Sequence, residues 1–149
     1  MRLEKLLEFE VLQNEDIEVS DTCIGDILLS PTSGGSFRGE KLSGKLVPVG
    51  MGITVTRDCE NDIRSTVLLR TDDGQDILMD MNAILNIGEE TEEKLMQGKH
   101  ADPEEYYYKG WCTFHTGAKD YKWLERTCCV CDFVIEDWTK VRTIVYMLL

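Results

Sequence analysis

The chain has 149 residues, one domain's worth, with 16 Lys and Arg against 28 Asp and Glu and a formal net charge of −12. Residues 1–21 and 89–105 each hold seven acids and two bases, so they carry −10 of that charge and leave the rest of the chain near neutral. This balance excludes a nucleic-acid binder, which needs a basic footprint, and a binder of anionic membranes, which needs clustered Lys and Arg.

A hydrophobic fraction of 42% supports a packed core rather than disorder. At the start, charges interrupt Met1-Arg2-Leu3-Glu4-Lys5-Leu6 every two or three residues, unlike a secretory leader. No apolar stretch approaches the length of a membrane span. A cytoplasmic location is therefore expected. There Cys23, Cys59, Cys112, Cys128, Cys129 and Cys131 stay as thiols.

In chain order, Phe9-Glu10-Val11-Leu12 reads as a first strand. Pro31-Thr32-Ser33-Gly34-Gly35 reads as a loop, with Ser36-Phe37-Arg38-Gly39 after it. Lys45 to Val49 is a further strand, and Gly50-Met51-Gly52 is expected to break the chain. Ser65 to Arg70 and Asp76 to Met81 flank Thr71-Asp72-Asp73-Gly74, where Asp-Gly between apolar runs signals a hairpin. One helix is expected after Glu89 and Glu90, with Thr91 as its cap, Leu95 and Met96 as its apolar face and Gly98 as its stop. Its acids sit where the helix dipole favours negative charge. Trp111 to Phe114, Thr127 to Ile135 and Lys140 to Leu149 are the last strands. Short strands with turn chemistry between them point to an all-β sandwich or barrel.

Cys112, His115, Cys128 and Cys131 form C-x2-H and C-x2-C pairs, the ligand types and spacing of tetrahedral zinc. On extended strands, however, positions i and i+3 face opposite sides of a sheet. Core packing of the cysteines is therefore the reading adopted, and no metal or other cofactor is expected. The same parity separates Cys112 from His115 as a nucleophile–base pair. Seven aromatics, Tyr106, Tyr107, Tyr108, Trp111, Phe114, Tyr121 and Trp123, fall within eighteen residues. That composition suits either a barrel core or the lining of a pocket.

Several of these segments together resemble a known family. They are Tyr106-Tyr107-Tyr108, Phe114-His115-Thr116-Gly117 and Tyr121-Lys122-Trp123-Leu124, with Gly34-Gly35-Ser36-Phe37-Arg38-Gly39, Leu42-Ser43-Gly44, Pro48 and Thr71-Asp72-Asp73-Gly74 ahead of them. The family is the domain-of-unknown-function family 3237, known also as uncharacterised protein family 0311. The resemblance spans nearly the whole chain. It implies one antiparallel, lipocalin-like β-barrel over residues 1–149, with one short helix and a pocket inside, and it carries no established activity. Departures occur at Val49 to Ile53, at His115 and at Glu125. Cys128, Cys129 and Cys131 lie outside the family pattern.

The expected function is binding of a small, partly apolar molecule inside the barrel. Phe37, Tyr107, Phe114 and Trp123 are the expected wall, with Arg64 or Arg70 receiving an acidic group. The alternative is a cofactor-independent isomerase, cyclase or lyase, with His115 as base and Tyr107 or Asp72 orienting or protonating the substrate. A third reading has the acidic segments meeting a basic partner protein. A homodimer is expected on the commonness of two-fold assemblies.

Overall fold

Alternation of side chains along the strands creates the interior. In the computed structural model, which describes residues 1–12 and 15–149, β1 spans Leu3–Leu12, β2 Ile17–Thr22, β3 Gly25–Pro31, β4 Gly35–Arg38 and β5 Gly44–Arg57. They are followed by β6 (Glu60–Thr71), β7 (Asp76–Asn86), helix α1 (Glu89–Met96), β8 (Tyr107–His115), β9 (Cys129–Asp137) and β10 (Lys140–Leu148). In β7 the buried side chains are Ile77, Met79, Met81 and Ala83, and in β9 they are Cys129, Cys131, Phe133 and Ile135. Each set is a period-2 series, which puts one face of every strand into a common core.

Neighbours run β2-β3-β5-β4-β1-β10-β9-β8-β7-β6, and β5 also pairs with β6. Eight strands thus close into an antiparallel barrel, and β2 with β3 extends it as an arm. The expectation of a single antiparallel barrel with one short helix is met. Closure is least complete at β4, which pairs with β1 only at Glu8 and Phe9.

Two irregularities shape the wall. A bulge between Lys5 and Leu7 turns Leu6 and Leu7 inward together, both fully buried. The second falls in β5 between Val47 and Gly50, opposite Leu68 and Val67. Pro48 sits in it, where no ladder donor is required. Gly50 has φ +104, and a Cβ there would lie 2.3 Å from the Thr66 carbonyl oxygen. The break expected at Gly50–Gly52 is therefore a bulge within one continuous strand. Up to Leu46, β5 pairs with β4, and from Met51 onward it pairs with β3. The arm takes over the wall where β4 has ended.

The two ends of the barrel are covered differently. At the β6–β7 hairpin end, a 3-10 helix (Lys119–Arg126) drops Leu124 into the core, and Thr116 Oγ1 donates to the Asp76 carbonyl at 2.7 Å. At the other end, the segment carrying α1 lays Ile87, Leu95 and Ala101 against Tyr106 and Ile135. Tyr106 Oη accepts from the Ile135 amide at 2.9 Å. Gly88, not Thr91, is the residue ahead of α1, and Thr91 lies within its first turn without capping it. Gly98, at φ +78, ends the helix as expected, with its amide donating to the Leu95 carbonyl at 3.0 Å.

Candidate functional site

A cavity of about 120 Å³ lies in the barrel at the end away from the β6–β7 hairpin. Its apolar lining comes from Phe9 and Val11 on β1, Ile63 and Val67 on β6, Met81 and Ala83 on β7, Phe133 on β9 and Val141 on β10. Opening it toward solvent are β3 and the loop after it, Ser30 to Gly34. Gly52 on β5 contributes bare backbone. A side chain there would project into the space.

Hydroxyls are set into this apolar wall. Ser30, Thr32, Thr54, Ser65, Tyr108 and Thr143 all line it. Thr143 is only 1% exposed, and Tyr108 stacks on Phe133 with ring centroids 4.4 Å apart. Among the described residues, the hydroxyls of Thr54, Ser65, Tyr108 and Thr143 have no hydrogen-bond partner. None of the four is among the fully buried unpaired polar atoms, so the cavity reaches them and they are free to pair with something occupying it.

The electrostatics are simple. Among the described residues lining the cavity there is no carboxylate, amine, guanidinium or imidazole. Tyr108 is the one tyrosine. Burial, with Tyr106 beside it, pushes its phenol further above the usual value. At neutral pH it is a proton-bearing hydrogen-bond donor and acceptor, not a base.

None of the seven residues expected at the site lines this cavity. Phe37 is buried and pairs with Phe9 across β4 and β1, in the packed part of the core. Phe114 is buried likewise, opposite Met79. Arg64 lies between Ile63 and Ser65, which both line the cavity, so it points to the outer face. Arg70 is also outside, ion-paired to Asp76 at 2.8 Å. Asp72 sits in the hairpin at the far end, accepting from Ser43 Oγ at 2.7 Å. Trp123 lies on the 3-10 helix at that end, with Lys41 Nζ 5.3 Å from its ring centroid.

Tyr107 is 52% exposed and the side chain of His115 is 60% exposed, both on the outer face of β8. His115 Nε2 stands 3.7 Å from Asp80 Oδ2 and reaches nothing inside the barrel. Phe114 and Tyr107 could not share a wall, because they stand an odd number of positions apart on one strand. The even-numbered series Tyr108, Gly110, Cys112 and Phe114 faces inward, so parity counted back from Phe114 selects Tyr108. The hydroxyl positions on β3, β5, β6 and β10 had no comparable signal, since a Ser or Thr on a strand reads the same on either face.

Cys112, His115, Cys128 and Cys131 are not brought together. Cys112 and Cys131 are buried, whereas Cys128 and His115 are exposed. Cys112 instead faces Cys129 across β8 and β9, and Cys112, Cys129 and Cys131 are all buried in the core.

Residues 1–148 match the model of a protein family described as "Protein of unknown function (DUF3237)". The chain belongs to this family. A relative named UPF0311 protein, from Clostridium acetobutylicum, is 28% identical over 133 residues, which is 88% of this chain and 84% of that protein. A solved structure described as a β-barrel like protein from Acinetobacter baumannii is 30% identical, with a TM-score of 0.84, covering 99% of this chain and 96% of its own. A second, described as an enzyme from Penicillium herquei, is 16% identical with a TM-score of 0.70 over 97% of this chain and 93% of its own. That likeness is one of fold alone. The DUF3237 barrel is thus common to proteins with diverged sequences, and function has to be argued from the cavity.

Proposed function

We propose that this DUF3237 protein binds a small, uncharged, partly apolar molecule in the open end of its barrel. The observation that carries the reading is the set of unpartnered hydroxyls, Tyr108 and Thr143 above all, over an otherwise apolar wall. An apolar cavity of about 150 Å³ in another protein accommodates benzene, so about 120 Å³ suits a single small ring or its open-chain equivalent. The hydroxyls would pair with a carbonyl, ether or hydroxyl on that molecule. A charged group would have to be desolvated without a counter-ion there, which is costly. An acidic ligand held by Arg64 or Arg70 does not fit, because both guanidiniums are outside.

The isomerase, cyclase or lyase reading needs a base in the cavity. His115 cannot serve, and Tyr108 keeps its proton. Binding is therefore the better-supported function. A cytoplasmic location belongs to the same reading, and six free thiols accord with a reducing compartment.

The test is a melting and fluorescence titration with phenol, benzyl alcohol and benzaldehyde, using benzoate as the charged control. At about ten times Kd, a neutral probe should raise Tm by about 3–6 °C. Benzoate should not. The reading fails if no neutral probe shifts Tm, or if Gly52→Leu, which fills the cavity, leaves the shift intact.

A further inference from the structure

We propose that the outer face of the β2–β3–β5 arm docks a second copy of this chain, packed about a two-fold axis running along the strands. Ile17 and Val19 on β2 stand opposite Leu29 and Ile27 on β3, and these stand opposite Ile53 and Val55 on β5. Register partners in a sheet share a face, so the six side chains form one apolar surface. It is the face turned away from the cavity, because the intervening Ser30, Gly52 and Thr54 line the cavity. Ile17 and Val19 are 60% and 45% exposed.

Two features commit this face to a copy of the same chain. The first is charge. A chain of net charge −12 repels its own kind through its two acidic segments, yet these six positions carry no charge. The margins of the face are opposite in sign. On the β6 side, Arg64 stands beside Ile53 in register and has no ion pair among the described residues. Asp62, beside Val55, is neutralised by Arg57 at 2.6 Å. On the β2 side, Glu15 lies two residues before Ile17 and Asp21 two residues after Val19, with no base in residues 15–21, while Glu18 alternates to the other face.

An axis parallel to the strands reverses the lateral order, so β2 of one copy lies over β6 of the other. Each Arg64 then meets the acidic margin of its partner, twice by symmetry. An axis across the strands would stack β2 on β2 and oppose like charges.

The second feature is the edge. β2 pairs only with β3 and is the free end of the strand order. Ile17 and Val19 stand exposed on that outermost strand, and sheet-on-sheet packing would cover them.

The experiment is sedimentation velocity of the full chain over a concentration series, at low and high salt. A dimer with a dissociation constant of about 10 µM or tighter is expected. Arg64→Glu, at an exposed position, should weaken it about tenfold at low salt and less at high salt, with the far-ultraviolet dichroism unchanged. Ile17→Asp combined with Val19→Asp should weaken it about a hundredfold or more, with the far-ultraviolet dichroism unchanged. A chain that stays monomeric at about 100 µM overturns the proposal. So does a dimer indifferent to Arg64→Glu and to the double substitution. A dimer broken by Trp111→Glu instead would place the interface on the outer surface around Tyr107 and Tyr146, and would overturn it too.

Discussion

The rings of Tyr108 and Phe133 lie 4.4 Å apart at 19° to each other. The pairing of β8 with β9 ends one step earlier, at Lys109 and Asp132. The stack therefore continues the contact between the two strands beyond their last hydrogen-bonded rung, at the wall of the cavity. Such a pair contributes about 0.5–1.5 kcal/mol beyond the area it buries. Phe133→Ala should cost about 3–5 kcal/mol of stability, measured by denaturant unfolding. Tyr108→Phe keeps the stack and removes only the hydroxyl. It should leave Tm within about 2 °C while weakening neutral ligands about fivefold, the worth of one hydrogen bond.

Thr143 separates stability from function. Its hydroxyl faces the cavity without a protein partner among the described residues, and it is not one of the fully buried unpaired polar atoms, so the cavity reaches it. Thr143→Val, which keeps the shape, is expected to leave unfolding free energy within about 1 kcal/mol and to weaken binding. A loss of stability in that variant would show that the hydroxyl is paired in solution.

Gly52 and Gly110 should respond in opposite ways to Ala. A Cβ at Gly52 meets nothing closer than 3.6 Å, whereas one at Gly110 would lie 2.2 Å from the Asn82 carbonyl oxygen and 3.0 Å from the Phe133 ring. Gly52→Ala should be within about 0.5 kcal/mol of wild type, as for a position without strain. Gly110→Ala forces β8 away from β7 and should cost about 3 kcal/mol or more. Paired melting curves decide it.

His115→Ala should change neither stability, beyond about 0.5 kcal/mol, nor ligand affinity. Its ring is outside the barrel, with Asp80 its nearest charged neighbour at 3.7 Å. A large loss of binding in this variant would return His115 to the site and remove the assignment of the cavity.

Glu8 sets an acid limb. Its carboxylate is mostly buried, accepting from Lys5 Nζ at 2.6 Å and from Arg38 Nε at 2.9 Å. These bonds, Lys5 foremost, hold it below the usual glutamate value. A carboxyl lowered on folding contributes stability above its unfolded pKa and loses it as pH falls through the folded one. Unfolding free energy should therefore be flat near neutral pH and fall below about pH 4. Glu8→Gln should cost about 1 kcal/mol at pH 7, since both cations are largely solvated, and should flatten that limb.

Much of the barrel was legible before any coordinates. Strand alternation, the hairpin at Asp72–Gly74 and the stop at Gly98 are local events, governed by backbone preferences that a few neighbouring residues express. The β2–β3 arm was not, because its strands alternate Ile17 and Val19 with acids and so resemble a solvated segment. Nor was the bulge at Val47–Gly50, whose glycine is required by the Thr66 carbonyl on another strand.

The cavity shows the same division more sharply. Sequence alone determined that aromatics and hydroxyls were available, and that the chain carried its acids in two segments. It could not determine which faces met. Tyr107 and Tyr108 are chemically alike and adjacent, yet one is in solvent and the other lines the cavity. His115 was read as a base because it falls among the clustered aromatics, but it directly follows the buried Phe114, and on a strand adjacent residues diverge. Thr143, Ser65 and Thr54 come from three strands that are distant in the chain, and only closure of β5 on β6 and of β1 on β10 brings them to one space. Long-range pairing decides that, through the register of every intervening strand.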